Sequence, residues 1–222
     1  MEIRTDYTKR VREIQDDILI MGSMVEKAIV TSIKALKDRN IELAKQLIND
    51  DENINHKRFE IEEKCIKLIA TQQPMAGDLR TIICVLNIVT ELERIGDYAA
   101  GIGKIVLMIG NEEHLKPLID IPRMADKIIS MLQRSLDAFI KHDADAAEEV
   151  ISEDDDVDNL YDQVFRELLT FMIEDPKTIT RATRLIWVAH NLERSADRVT
   201  NICERIIYIV TGKMEELGAS KY

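Results

Sequence analysis

The chain has 222 residues, with eight glycines, four prolines, three cysteines and a formal net charge of −11. Its 45% hydrophobic content can furnish a core and excludes intrinsic disorder. So acidic a chain repels nucleic-acid backbones and anionic membrane surfaces, which leaves cations and basic protein patches as the natural electrostatic partners.

Sparse glycine and proline, with Leu, Ile, Ala, Glu, Lys and Asp dominant, favour helices over strands. Between the punctuating residues the apolar positions follow helical spacing. In chain order this predicts six helices, over 4–38, 41–73, 76–109, 118–141, 143–174 and 177–211. The breaks fall at "KDRN" (37–40), "QPMAG" (73–77), "GNEEHLKP" (110–117), "KHD" (141–143) and "EDP" (174–176). Pro74, Pro117 and Pro176 each stand near a boundary, where a missing N–H costs least. Several of these helices exceed about 42 Å at 1.5 Å rise per residue. Joined by short turns, helices of that length pack as antiparallel neighbours.

The second half of the chain repeats the first. "NIELAKQLINDDENIN" (40–55) aligns with "DADAAEEVISEDDDVD" (143–158) at an offset of 103, and Leu79 onward aligns with Ile179 onward at an offset of 100. The expected fold is therefore all-α: two tandem three-helix bundles, six long antiparallel helices related by internal duplication, with the first bundle in 1–113 and the second in 114–222.

Cys65, Cys84 and Cys203 are too few and too scattered for a disulfide framework or a thiolate metal site, and read as small buried hydrophobes in a reducing compartment. The N-terminus "MEIRTDYTKRVREIQDD" lacks the apolar core of a signal peptide. No apolar run approaches the roughly 20 residues of a membrane span. A cytoplasmic location is expected.

The chemistry concentrates in carboxylates. "ELERIGDYA" (91–99) and "NLERSADRV" (191–199) each carry a Glu and an Asp four residues apart. With Leu86 at zero on a wheel of about 100° per residue, Leu79, Ile82, Ile83 and Val89 fall within roughly 60° of it, and Glu93 and Asp97 within about 20°. Arg80, Asn87, Glu91 and Arg94 take the polar flank. The sixth helix repeats the arrangement, with Ile179, Ala182, Ile186 and Ala189 continued by Glu193 and Asp197. The second and fifth helices add Asp51 with Asn55 and, at the equivalent positions, Asp154 with Asp158; Asp155 and Asp156 read as solvated.

Carboxylates on an apolar face are costly unless paired, protonated or bound to a cation. Three outcomes stay open on spacing alone. Arg94 and Arg194, or arginines of neighbouring helices, neutralise them; the bundle ends nearby and water solvates them; or a metal ion sits between helices, held by hard oxygen ligands that suit Fe, Mn, Mg or Zn without distinguishing them. His190 shares a face with Glu193, but Thr90 stands at the equivalent place, so a solvated or hydrogen-bonded histidine is the simpler reading. No Glu-x-x-His recurs at matching sites in the two halves, which counts against a di-iron oxidase. Neither a glycine-rich phosphate loop nor a nucleophile–base set is evident.

Taken in order, "MGSMVEKAI" (21–29), "LAKQLINDDENIN" (43–55), "QPMAGDLR" (73–80), "ELERIGDYA", "NLERSADRVTNICE" (191–204) and "YIVTG" (208–212) resemble the PhoU family over nearly the whole chain. The resemblance implies two three-helix bundles and a non-catalytic role. It implies a cytosolic adaptor between the ATP-binding subunit of the phosphate ABC transporter and a sensor histidine kinase, restraining uptake and the phosphate-starvation response. Membrane association would then come only through partners, and a homodimer is expected. It also implies divalent or trivalent metal ions, iron foremost, with Zn, Mn or Mg as alternatives, held by E/DxxxD motifs. Those motifs fall on Glu93 with Asp97, Glu193 with Asp197, and Asp154 with Asp158, while Asp51 with Asn55 carries one charge fewer. Ser195-Ala196 replaces the usual Ile-Gly, so the two halves are not expected to be occupied equally. The competing readings are a metal-dependent helical-bundle enzyme or metal store, and a purely structural module.

Overall fold

The computed structural model of the chain describes residues 2–214, with side chains from residue 6 onward; Met1 of the first expected unit and 215–222 of the second lie outside the described residues. The helices are α1 (Glu2–Asp38), α2 (Ile41–Gln72), α3 (Gly77–Ile109), α4 (Asp120–Lys141), α5 (Ala144–Ser152), α6 (Asp154–Glu174) and α7 (Ile179–Thr211), with a 3-10 turn at Pro176–Thr178 before α7.

Local chemistry explains the boundaries, and the two halves use the same devices. α1 and α4 end on left-handed residues, Arg39 (φ 52°) and His142 (φ 53°). The next residue in each case caps the following helix: Asn40 Oδ1 accepts from the Leu43 N–H at 2.9 Å, and Asp143 Oδ1 from the Ala146 N–H at 3.0 Å. Each side chain satisfies one of the donors that a helix start leaves orphaned. α2 closes on left-handed Gln73, whose N–H donates to the Ile69 carbonyl, and Pro74 then bars continuation.

One expected helix divides. The segment 143–174 is interrupted at Glu153 (φ −85°, ψ −8°), whereas α2 runs unbroken through the equivalent Asp50–Asp51. Glu153 turns its carboxylate back onto α4, within ion-pair distance of Lys127 Nζ at 2.8 Å and accepting from Arg134 Nη1. Asp154, Asp155 and Asp156 then form the first turn of α6, where the positive end of the helix dipole favours acids.

α1, α2 and α3 pack together, as do α4, α5, α6 and α7, and the broadest interface joins α3 to α7. These two central helices run antiparallel. Glu91 meets Arg198 and Asn201, Gly101 backs onto Asn191, and Glu112 meets Arg184. A Cβ added at Gly101 would lie 2.9 Å from Asn191 Oδ1, so the approach is close there. One continuous apolar core runs through both halves, and all three cysteines are buried in it or at its edge. Phe139 is fully buried; Phe139→Ala should cost about 3–5 kcal/mol, read as a lower urea midpoint. Among the described residues, no helix is long and apolar enough to cross a membrane.

The apolar stripe of α3 is placed differently from the sequence expectation. Leu79 is 37% and Ile83 44% exposed, while Ile82, Val85, Val89, Leu92, Ile95 and Ala99 are buried. Because α3 contacts α1, α2 and α7, its buried arc is broad, and the line through Leu86 is the arc's edge rather than its centre.

Candidate metal centre

Two carboxylate clusters lie at mid-length of the molecule, one on each side of the α3–α7 seam. In the first, α3 supplies Glu93 and Asp97 while α2 supplies Asp51 and Asn55. Gly96 permits the approach, since a Cβ there would stand 3.0 Å from Ile54 Cδ1 and 3.4 Å from Asp51 Oδ1. Asp51 and Asp97 lie close enough for their carboxylates to repel each other. Burial, and then the Asp97 charge, raise the Asp51 pKa, against the pull of Lys104. Glu93 is raised by burial and by Asp97, opposed by Arg58, whose Nη1 lies 3.1 Å from Glu93 Oε1. Asn55 commits its amide N–H to the Asp51 carbonyl of its own helix at 3.4 Å. Asp97 itself is exposed.

The second cluster draws Glu193 and Asp197 from α7, and Asp154 and Asp158 from the first turns of α6. Burial first, then the charges of Asp197, Asp158 and Asp154, push the Glu193 carboxyl up to about 7 against the opposing pull of Arg194. The other three acids therefore all act on Glu193. Asp197 is also raised by burial, against Arg194, Arg198 and His190. Glu193 Oε2 is buried and accepts no hydrogen bond; His190 Nδ1 stands 3.3 Å away, an ion-pair distance without hydrogen-bond alignment. His190 is half-exposed, and its ring lies 6.2 Å from that of Tyr161. No arginine or lysine reaches ion-pair distance of Glu193 among the described residues; Arg194 Nε is instead 3.8 Å from Asp197 Oδ2.

The sequence-predicted acids thus lie near one another between α2 and α3 and between α6 and α7, while Asn55 bonds within its own helix. Among the described residues no three His, Cys, Asp or Glu side chains already converge as a metal-holding set, so loading requires rotation of the carboxylates. The donor set of the second cluster nevertheless fits a hard cation: four carboxyls, one of which has a buried oxygen that accepts no hydrogen bond.

Two features escape the wheel. Arg58 and Tyr161 occupy equivalent positions beside the clusters, and the i, i+4, i+7 spacing of Asp51, Asn55 and Arg58 carries the signal for the first. Glu91, expected on the solvated flank, is half-buried in the seam, where Oε2 accepts from Arg198 Nη1 at 3.2 Å and Asn201 Nδ2 at 3.1 Å. Only the packing of α7 on α3 reveals that role.

Comparison with known proteins agrees with this duplicated architecture. The family model described as the PhoU domain matches twice, over residues 18–106 and 121–206, in the two offsets read from the sequence. The phosphate-specific transport system accessory protein PhoU homolog of Clostridium acetobutylicum is 41% identical over 216 residues, covering 97% of this chain and 99% of that protein. The phosphate-specific transport system accessory protein PhoU of Escherichia coli is 36% identical over 211 residues, 95% of this chain and 88% of that protein. Among solved structures, PhoU from Pseudomonas aeruginosa superposes with a TM-score of 0.88 at 36% identity, over 93% of this chain and all of that one. The phosphate transport system regulatory protein PhoU from Streptococcus pneumoniae gives the same TM-score at 31% identity, over 95% of this chain and all of that one. These relatives bear the names of accessory and regulatory proteins, not of enzymes. With the family model matched in both halves and relatives aligned along nearly the full length, the chain belongs to the PhoU family.

Proposed function

We propose that this protein regulates phosphate uptake and phosphate-starvation signalling as an adaptor between the ATP-binding subunit of a phosphate ABC transporter and a sensor histidine kinase. The observation that carries the reading is full-length correspondence with accessory proteins of phosphate-specific transport. An adaptor also needs a docking face. α6 and α7 offer candidates for one: Phe165, Leu169 and Ile173 recur every four residues on α6, and these three, with Ile179 and Trp187 of α7, are exposed. Trp187 is 47% and Ile173 74% exposed. The strip ends at Tyr161 and His190, beside the second carboxylate cluster.

The proposal extends to metal. Glu193, Asp197, Asp154 and Asp158 would hold a divalent or trivalent ion, iron foremost; bound there, it would neutralise mutually repelling acids and tie α6 to α7. The first cluster, with Asn55 in place of an acid, is the weaker set of donors.

Co-purification with the transporter's ATP-binding subunit and the sensor kinase tests the adaptor, together with gene deletion, which should derepress phosphate-starvation genes. Absence of both would sink it. Trp187→Asp should reduce capture of a partner at least about tenfold, as a central aromatic anchor does, with thermal stability changed by no more than about 0.5 kcal/mol.

A further inference from the structure

The two clusters differ at one position where a charge decides the outcome. Arg58 lies one turn beyond Asn55 on α2, and Tyr161 holds the equivalent place beyond Asp158 on α6. Arg58 Nη1 donates to Glu93 Oε1 at 3.1 Å, and its Nε lies 3.4 Å from Glu62 Oε1. Its guanidinium also sits over the Phe59 ring, 4.7 Å from the centroid, and its side chain is only 22% exposed. Two acids and an aromatic face thus hold the group in place; a planar guanidinium suits such a seat.

We propose that Arg58 is a built-in cation that closes the first carboxylate cluster to metal. This rests on the reading, proposed above, that carboxylates in this arrangement take a metal ion. The first cluster sets three carboxyls and one guanidinium where the second sets four carboxyls. An ion entering the first must displace a hydrogen-bonded, packed guanidinium from Glu93, leaving a desolvated positive charge a few ångströms from its own. At the second cluster Tyr161 brings no charge; Arg194 Nε stands 3.8 Å from Asp197 Oδ2 on a side chain 42% exposed, without reaching Glu193, and Arg198 is engaged with Glu91.

Metal per chain is measured after equilibrium dialysis against Mn2+, and against Fe2+ without oxygen, by elemental analysis. The chains compared are the full-length wild type, Glu193→Gln, Glu93→Gln, Arg58→Gln, Arg58→Lys and the double variants Arg58→Gln/Glu193→Gln and Arg58→Gln/Glu93→Gln. Circular dichroism checks that each folds. Arg58→Gln/Glu193→Gln is expected to bind at least tenfold more tightly than Glu193→Gln, and the extra metal that Arg58→Gln takes up over the wild type to be lost in Arg58→Gln/Glu93→Gln. Arg58→Lys, which keeps the cation, should stay closed. If Arg58→Gln/Glu193→Gln binds no better than Glu193→Gln, the proposal is overturned whatever the wild type does. Wild-type binding that survives Glu193→Gln at full strength and is lost in Glu93→Gln overturns it too. A wild type that binds nothing, beside an Arg58→Gln chain that does bind, supports it while refuting the second cluster as a metal site.

Discussion

Replacing Glu193 by Gln is expected to stabilise the metal-free protein at pH 8 by about 2–3 kcal/mol, and to change it by less than about 1 kcal/mol at pH 5. The Glu193 carboxyl sits at about 7, from an ordinary 4.5, because burial and three neighbouring acids disfavour its charge. A carboxyl with a raised folded-state pKa binds its proton more tightly in the native protein than in the unfolded chain. Its contribution to stability is therefore complete below about pH 4.5 and is lost as pH rises through about 7. Glutamine mimics the protonated form at every pH and so removes the loss. The side chain is 21% exposed, and solvent screening is the reason for setting the expected gain below the full shift. Asp51, Glu93 and Asp197 are raised in the same direction, so the wild type should also lose stability between mildly acidic and neutral pH. Chemical denaturation in the presence of a chelator, repeated from pH 5 to 8, checks this. A destabilised Glu193→Gln at pH 8 would mean that the ionised carboxylate makes a favourable contact in the metal-free fold, contrary to the orphaned Oε2. Added metal should reverse the order of the two proteins, since only the carboxylate gains from a cation.

Glu91→Ala is expected to cost about 3 kcal/mol, and the double substitution Glu91→Met/Arg198→Met to recover most of it. Glu91 and Arg198 are 15% and 13% exposed at the seam between the halves. Arg198 Nε is already buried with no hydrogen-bond partner, so removal of Glu91 leaves a desolvated guanidinium with little compensation. Asn201, which also donates to Glu91 Oε2, would lose its acceptor as well. Urea unfolding of the single and double variants provides the comparison. A loss below about 1 kcal/mol for Glu91→Ala would show that water reaches the pair and screens it.

Much of this was legible because helices are specified locally. The breaks at "KDRN" and "KHD", with Pro74 and Pro176, mark boundaries within a few residues of those observed. The break at Glu153 was not foreseen. It depends on Lys127 and Arg134 of α4 drawing the Glu153 carboxylate away, a contact across 26 and 19 residues of sequence. The three aspartates that follow carry a partial signal, since acids gather at helix starts. The site was legible as pairs: the i, i+4 acids of α3 and α7 do face those of α2 and α6. Their environment was not, because a wheel ranks positions on one helix and is blind to how many neighbours surround it. Hence Leu79 and Ile83 emerge into solvent, and Glu91 goes under α7.

By itself, then, the sequence determined the helical fold class, the duplication and the recurrence of the acid pairs, all of which follow from periodicity and spacing along one chain. Only the tertiary structure decided which acids lie desolvated and which cations reach them. Arg58 and Arg198 lie 35 and 107 residues from the glutamates they meet, and their positions are fixed by packing of α2 on α3 and of α7 on α3. Because the strength of a charge's interactions depends on burial and distance in space, the two halves, so alike in sequence, differ where their chemistry is set.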